Sequence, residues 1–331
     1  MKQNKVTTRL SGNFASATGA IEYGFTNDYM FRAVLQENKK VLKALICALL
    51  HLRPEEVSSV VVTNPIVLGE QIDAKEFVLD INISLNNHSV INLEMQVENQ
   101  LNWQDRSLSY LCRSYDNLCK GDDYSNVAPA IHIGFLDFTP FKDAPEEFYA
   151  TYKLLNIKNH HLYSSKFALS VVNLSKINLA TEEDKVWEID YWARLFKATT
   201  WEEMKMIAEQ NESIMEASKT LYNMHCEETI RAMARARQDA VRLENTYKRT
   251  IADLEADNKK LTSDRAKLAD DNAKLADDNA KLADDNAKLA AANSEQEQAL
   301  AEKNRALVEI EQLLAEKESE IARLKTQNKP I

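Results

Sequence analysis

Leucine recurs at every seventh position from Leu254 through Leu261, Leu268, Leu275 and Leu282 to Leu289, and the unit NAKLADD repeats almost unchanged from Asn272 to Ala292. An apolar period of seven brings its side chains back to one face only on a helix, so this stretch is confined to a heptad-patterned helix. With the leucines at d, Asn258, Asn272, Asn279, Asn286 and Asn293 fall at a, and Arg265 fills the remaining a site. The frame runs back through Ile251, Tyr247, Ala240, Met233 and Ile230, and forward through Leu300, Leu307, Ile310, Leu314, Ile321 and Leu324. Residues 230–327 therefore read as a coiled coil, ~150 Å of helix at a rise of ~1.5 Å per residue. Asparagine at a costs stability but pairs with asparagine across a parallel dimer, so the expected partner is a second copy in a parallel homodimer. Asp277 and Asp278 precede Lys281 by four and three residues, spacings that support the helix on its own. The alternative is a single solvated helix, which would leave the leucine stripe uncovered.

All six glycines lie at or before Gly134, and neither glycine nor proline occurs between Pro145 and Pro330, which predicts a largely helical second half. The 331 residues are 44% hydrophobic, enough for a sizeable core upstream of the coil. A net charge of -10 argues against binding nucleic acid or an anionic membrane through bulk charge, and is compatible with a local basic groove. No apolar run approaches the ~18 residues of a membrane span, and the first twenty residues lack a signal-peptide core, so a soluble cytoplasmic protein without a membrane partner is expected. The four cysteines lack CxxC spacing and read as reduced structural thiols. Arg231, Arg235, Arg237, Arg242, Lys248 and Arg249 precede the leucines, but acidic residues interrupt them and a globular region stands upstream, unlike the basic arm of a zipper transcription factor.

Residues 27–50 carry an apolar stripe of helical period behind Thr26 or Asn27 as cap. Strands are predicted over 57–63, 75–85, 89–97 and 129–138, with a helix over 103–119 between the last two. Two more strands follow around 147–157 and 167–175, then helices. The last strand of the first set returns after a helical crossover, the mark of an α/β sheet flanked by helices. In 75–85 the odd positions Phe77 to Leu85 are apolar, and in 89–97 so are Ile91 to Val97, which puts Asp80 and Asn82 on the other face with Asn92, Glu94 and Gln96. A three-residue loop, Asn86-Asn87-His88, sets paired positions to sum to 174 and places Asp80 opposite Glu94. Facing carboxylates ~5 Å apart repel unless a cation or proton separates them. They suit Mg²⁺, which takes oxygen ligands and is held by one or two carboxylates. A solvated polar sheet face is the competing reading of the same alternation.

Residues 21–138 resemble the PD-(D/E)XK nuclease-like transposases, also called recombination-promoting nucleases. The likeness is carried by TNDYMFRAVL (26–35), LDINI (79–83), NLEMQ (92–96), RSLSY (106–110) and KGDDY (120–124). It implies a restriction-endonuclease-like fold, a mixed sheet flanked by helices, here followed by the long C-terminal coiled coil. It further implies Asp80 and Glu94 as catalytic residues and metal ligands, with Mg²⁺, or alternatively Mn²⁺, as cofactor and DNA as substrate. Gln96 takes the position usually held by Lys; it orients water or phosphate by hydrogen bonds but supplies no charge. Asp28 matches the acidic residue that opens the family's first helix and joins the catalytic set, although as a helix N-terminal residue it also faces the dipole. Arg106 and Tyr110, four apart on one helical face, are phosphate or DNA contacts, and Lys75 is a lesser one.

The expected organisation is an N-terminal arm over 1–20, a nuclease-like domain over 21–200, a helical connector over 201–229, and the coil. The expected function is a metal-dependent DNA endonuclease dimerised by its coil. The competing expectation is a scaffold or DNA-binding module whose nuclease-like domain is weak or inactive, motivated by Gln96 and the size of the coil.

Overall fold

The computed structural model describes residues 13–66, 68, 80–99, 102–141 and 143–327. Lys75 and residues 1–12 of the expected arm lie outside the described residues. The chain divides into two compact units, Met1–Asn245 and Thr246–Ile331.

In the first unit Asn27 caps α1 (Asp28–Glu37) by accepting from the Met30 amide, and Asn38 interrupts the apolar stripe and caps α2 (Lys39–Leu50) through the Lys40 and Val41 amides. The strands are β1 (Val60–Val62), β2 (Ile81–Leu85), β3 (Ser89–Gln96), β4 (Ala130–Leu136), β5 (Tyr149–Lys153) and β6 (Phe167–Asn173), with α3 (Trp103–Tyr115) between β3 and β4. They form one six-stranded sheet in the order β1-β2-β3-β4-β6-β5. β3, β4 and β6 run parallel at its centre, and the flanking pairs are antiparallel. This is the mixed sheet flanked by helices expected of a restriction-endonuclease-like α/β fold.

The β2–β3 hairpin has the expected register, Ile81 opposite Leu93 and Asn82 opposite Asn92. Its turn works because Asn86 and Asn87 both take left-handed backbone angles, φ 52° and 54°, which asparagine tolerates better than most side chains. The odd-numbered side chains Ile91, Leu93 and Met95 join Ile133, Phe135 and Val172 in the main core, together with α1, α2 and α5 (Ile189–Lys197). Phe31, Phe135 and Phe196 meet edge to face there, with centroids 5.2 to 5.4 Å apart.

The even-numbered face of β3 and β4 is not left to solvent. Asn92, Glu94, Gln96 and His132 are all buried, and α3 lies over β3, β4 and β6. That close approach depends on Gly134, because a Cβ there would sit 2.0 Å from Cη2 of Trp103. Trp103, Leu136 and Val171 form the small apolar cluster under α3.

Residues 201–229, read as a connector, contain α6 (Trp201–Ala208) and α7 (Glu212–Cys226); Trp201, Met204, Ile214 and Leu221 are buried in the main core. A short helix, α4 (Glu182–Val186), precedes α5 behind a Thr181–Asp184 capping box. The last helix, α8 (Glu228–Gln327), begins inside the first unit, where Ile230, Met233 and Ala234 are buried. Of the cysteines only Cys47 is a core residue; Cys112, Cys119 and Cys226 are exposed.

In the second unit the heptad leucines Leu254 to Leu289 stand exposed along one helix, each about 60% accessible. Lys274 pairs with Asp270 and Lys288 with Asp284, both at 2.6 Å and four residues apart. Among the described residues no helix is long and apolar enough to cross a membrane.

Candidate active site

The C-terminal end of β3, the entry to β2, the start of α1, α3 and the first turns of α8 enclose a cleft of about 440 Å³. Asp28, Asp80, Glu94, Gln96, Arg106 and Tyr110 all line it, so six of the seven residues singled out in the sequence converge there. The seventh, Lys75, is outside the described residues. Arg237 and Arg242 of α8 also line it, Arg237 from 209 positions beyond Asp28.

Asp80 enters β2 with its backbone fixed. Its carbonyl accepts from the guanidinium of Arg32, a buried residue of α1, and from Asn64 Nδ2 at 3.1 Å. Burial pushes the Arg32 guanidinium below its ordinary value, and the nearby Asp80 charge opposes that shift. The Asp80 carboxylate accepts from Asn92 Nδ2 at 2.5 Å, and the same nitrogen donates to Asn82 Oδ1 at 2.7 Å.

Those two bonds orient Asn92, leaving its Oδ1 to face Nδ1 of His132, 2.7 Å away on the neighbouring strand. His132 is fully buried, and that burial, reinforced by the charge of Arg106, lowers its pKa to about 3. A neutral imidazole that donates from Nδ1 has a bare acceptor at Nε2. That atom lies 3.8 Å from Glu94 Oε2, and neither has a hydrogen-bond partner among the described residues.

Glu94 Oε1 accepts from Arg106 Nη2, which also donates to Gln96 Oε1 at 2.7 Å. Gln96 Nε2 donates in turn to the Glu98 carbonyl at 3.0 Å. Arg106 thus brings a positive charge to the position where Gln96 has none. Its guanidinium also lies over the Tyr110 ring, 5.9 Å from the centroid. Asp28 is engaged differently: Arg237 holds both of its oxygens, with contacts of 2.7 to 3.0 Å.

The donor set suits a hard cation. Glu94 Oε2 is a buried carboxylate oxygen with no donor to satisfy it, a condition a divalent ion relieves. Asp80 and Glu94 are the cleft carboxylates that could hold such an ion. Among the described residues no group of three or more His, Cys, Asp or Glu side chains forms a ready-made metal cluster.

Arg32, His132 and Arg237 were not singled out as site residues in the sequence. Arg32 left a trace as the one charge within an otherwise apolar run of α1, and His132 as the polar member of an apolar strand. Arg237 left none, since its partner Asp28 lies 209 positions away.

A mixed sheet whose central hairpin delivers two carboxylates and a glutamine to a cleft walled by arginines defines a nuclease-like domain of the restriction-endonuclease-like class. The chain belongs to the PD-(D/E)XK nuclease family transposases, whose family model matches residues 25–252. No curated protein and no solved structure matches it.

Proposed function

We propose that this protein is a Mg²⁺-dependent DNA endonuclease of the recombination-promoting type, with Mn²⁺ as an alternative ion, acting as a parallel coiled-coil homodimer. The observation that carries the reading is the buried, unsatisfied Glu94 Oε2 in the cleft shared with Asp80, Gln96 and Arg106. A divalent ion bound by Asp80 and Glu94 supplies Lewis-acid stabilisation of phosphate charge and a more acidic water. Asn92 and Arg32 hold Asp80 in place for that task. Gln96 orients water or phosphate through its amide, and Arg106 offsets negative charge on the phosphate that reaches it. Because the chain as a whole is acidic, DNA affinity rests on few arginine contacts; it is weak and is lowered further by salt.

The test is cleavage of supercoiled plasmid by the full chain with Mg²⁺, Mn²⁺ or chelator, beside Asp80→Ala. Metal-dependent nicking that disappears in the variant supports the reading; equal cleavage by a folded Asp80→Ala overturns the assignment of ligands.

A second reading, a scaffold with little or no catalysis, is favoured by one specific contact: Arg106 already neutralises Glu94 and occupies Gln96. A folded parent that cleaves nothing yet self-associates would support it.

A further inference from the structure

The edge strand β5 runs on into a segment that is ordered but not covered. Every residue from Thr151 to His161 is exposed, Ile157 to 91%, and Tyr163 follows at 80%. The segment is held by its own bonds. Leu155 and Leu162 form an antiparallel bridge, the Asn156 amide donates to the His161 carbonyl at 2.9 Å, and the Tyr163 amide donates to the Leu154 carbonyl at 2.9 Å. Asn156 also closes the turn: its Oδ1 accepts from the Lys158 and Asn159 amides, and its carbonyl from the His160 amide. Lys166 ties the base to the loop before β4 by donating to the Ser125 and Val127 carbonyls, both at 2.9 Å. Residues 154–163 are thus a two-stranded ribbon with a fixed turn that shows Leu154, Ile157 and Tyr163 to solvent. Large apolar groups gathered on one ordered, exposed element mark an interaction surface.

The charge of this stretch says what it fits. The chain has 51 acidic residues, yet no Asp or Glu occurs between Glu147 and Glu182. Of the lysines there, Lys166 is engaged at the anchor and Lys176 pairs with Glu146. Lys153 and Lys158 are exposed and have no ion-pair partner among the described residues. Free cations without neighbouring carboxylates along the chain complement a polyanion. The major groove of duplex DNA, about 12 Å wide, admits a two-stranded ribbon, with thymine methyl groups on its floor for apolar contact. The ribbon leads into β6, which runs parallel to β3, so it stands at the end of the central strands opposite Glu94 and Gln96.

We propose that residues 153–163 form a second DNA contact, apart from the cleft, in which the ribbon enters the major groove of a duplex. Lys153 and Lys158 meet phosphates and Ile157 meets base edges. This contact offsets the weak affinity of the cleft. The choice of DNA among polyanions rests on the nuclease reading; the position of the contact does not.

The test measures binding and cleavage separately. Binding of the full chain to a fluorescein-labelled duplex of about 30 base pairs is followed by anisotropy in chelator over a series of salt concentrations. Lys153→Gln combined with Lys158→Gln weakens binding at least about tenfold and lowers the slope of log K against log salt by about 1.8, as two lost phosphate contacts do. Ile157→Asn weakens binding about fivefold and leaves the slope unchanged. All three side chains are exposed, so the variants keep the fold, which far-UV dichroism checks. Parent affinity and slope in both variants overturn the proposal, as does a parent that binds no duplex. Variants that keep DNA binding but lose binding to phosphatidylserine vesicles, or lose dimer mass in light scattering, also overturn it and assign the surface to a membrane or a second copy. The same duplex is then offered with Mg²⁺. Cleavage by the parent, with variants that bind as the parent does, sinks the proposal alone. Ribbon-dependent binding without cleavage by the parent sinks the nuclease reading alone.

Discussion

The indole of Trp103 occupies the space where a side chain at position 134 would begin, 2.0 Å from the point where a Cβ would stand. Gly134 on β4 is therefore the seat on which the first residue of α3 rests, and it sets the height of that helix above the sheet. Gly134→Ala forces the ring or the helix to move and costs on the order of 1 to 3 kcal/mol, as overpacking does elsewhere. Arg106 lies three residues along the same helix, so the substitution also weakens its contact with Glu94. Chemical denaturation measures the cost, and Trp fluorescence with near-UV dichroism reports the displacement of the Trp103 ring.

Arg106→Ala leaves the Glu94 carboxylate buried without its cation. The expected loss is on the order of 2 to 4 kcal/mol in the absence of metal. Mg²⁺ substitutes for the missing charge, so the variant gains more thermal stability from added Mg²⁺ than the parent does. Paired thermal melts with Mg²⁺ and with chelator check this; equal gains would speak against Glu94 as a ligand.

The division between what the sequence made legible and what it hid follows the range of the interactions. Alternation of apolar residues and a three-residue loop are local, and they were enough to place Asn82 against Asn92 and to put Glu94 and Gln96 on one face. Whether that face was wet or covered depended on a glycine in another strand and a tryptophan at the head of a helix, a pairing without local signature. The expected connector belongs to the core for a similar reason: the apolar faces of α6 and α7 read equally well against a distant partner or a neighbouring one. Arg237 reads in the sequence as one of a run of basic residues before the leucines, whereas the structure uses it to hold Asp28.

His132 makes stability fall toward acid pH. Its pKa is about 3 when folded and ~6.5 when unfolded, so below pH ~6.5 the unfolded chain takes up a proton that the folded chain refuses. The stabilisation is complete above that pH and is lost progressively as pH falls toward the folded value. Between pH 7 and pH 5 the loss from this residue is about 2 kcal/mol. Urea titrations at the two pH values measure it, and His132→Gln removes this component of the pH dependence while lowering stability at both.

Leu275→Glu combined with Leu282→Glu tests self-association in the full chain. Both leucines are about 60% exposed along the helix, so the substitutions remove no contact within the chain. In a coiled-coil dimer they place charges in the seam. Light scattering should then report the 37.7 kDa of one chain for the variant and twice that for the parent. An unchanged mass would show that the stripe is not the dimer contact.

The near-identical units between Asn272 and Ala292 make helix length adjustable in fixed steps. Each unit returns leucine to the same face and lysine to the same carboxylates four residues earlier, as in Lys274 with Asp270 and Lys288 with Asp284. Gaining or losing one unit therefore moves everything beyond it by about 10.5 Å while leaving the pattern along the helix unaltered. The segment behaves as a ruler graduated in heptads, whose span can change in a single step without any residue on either side having to adapt.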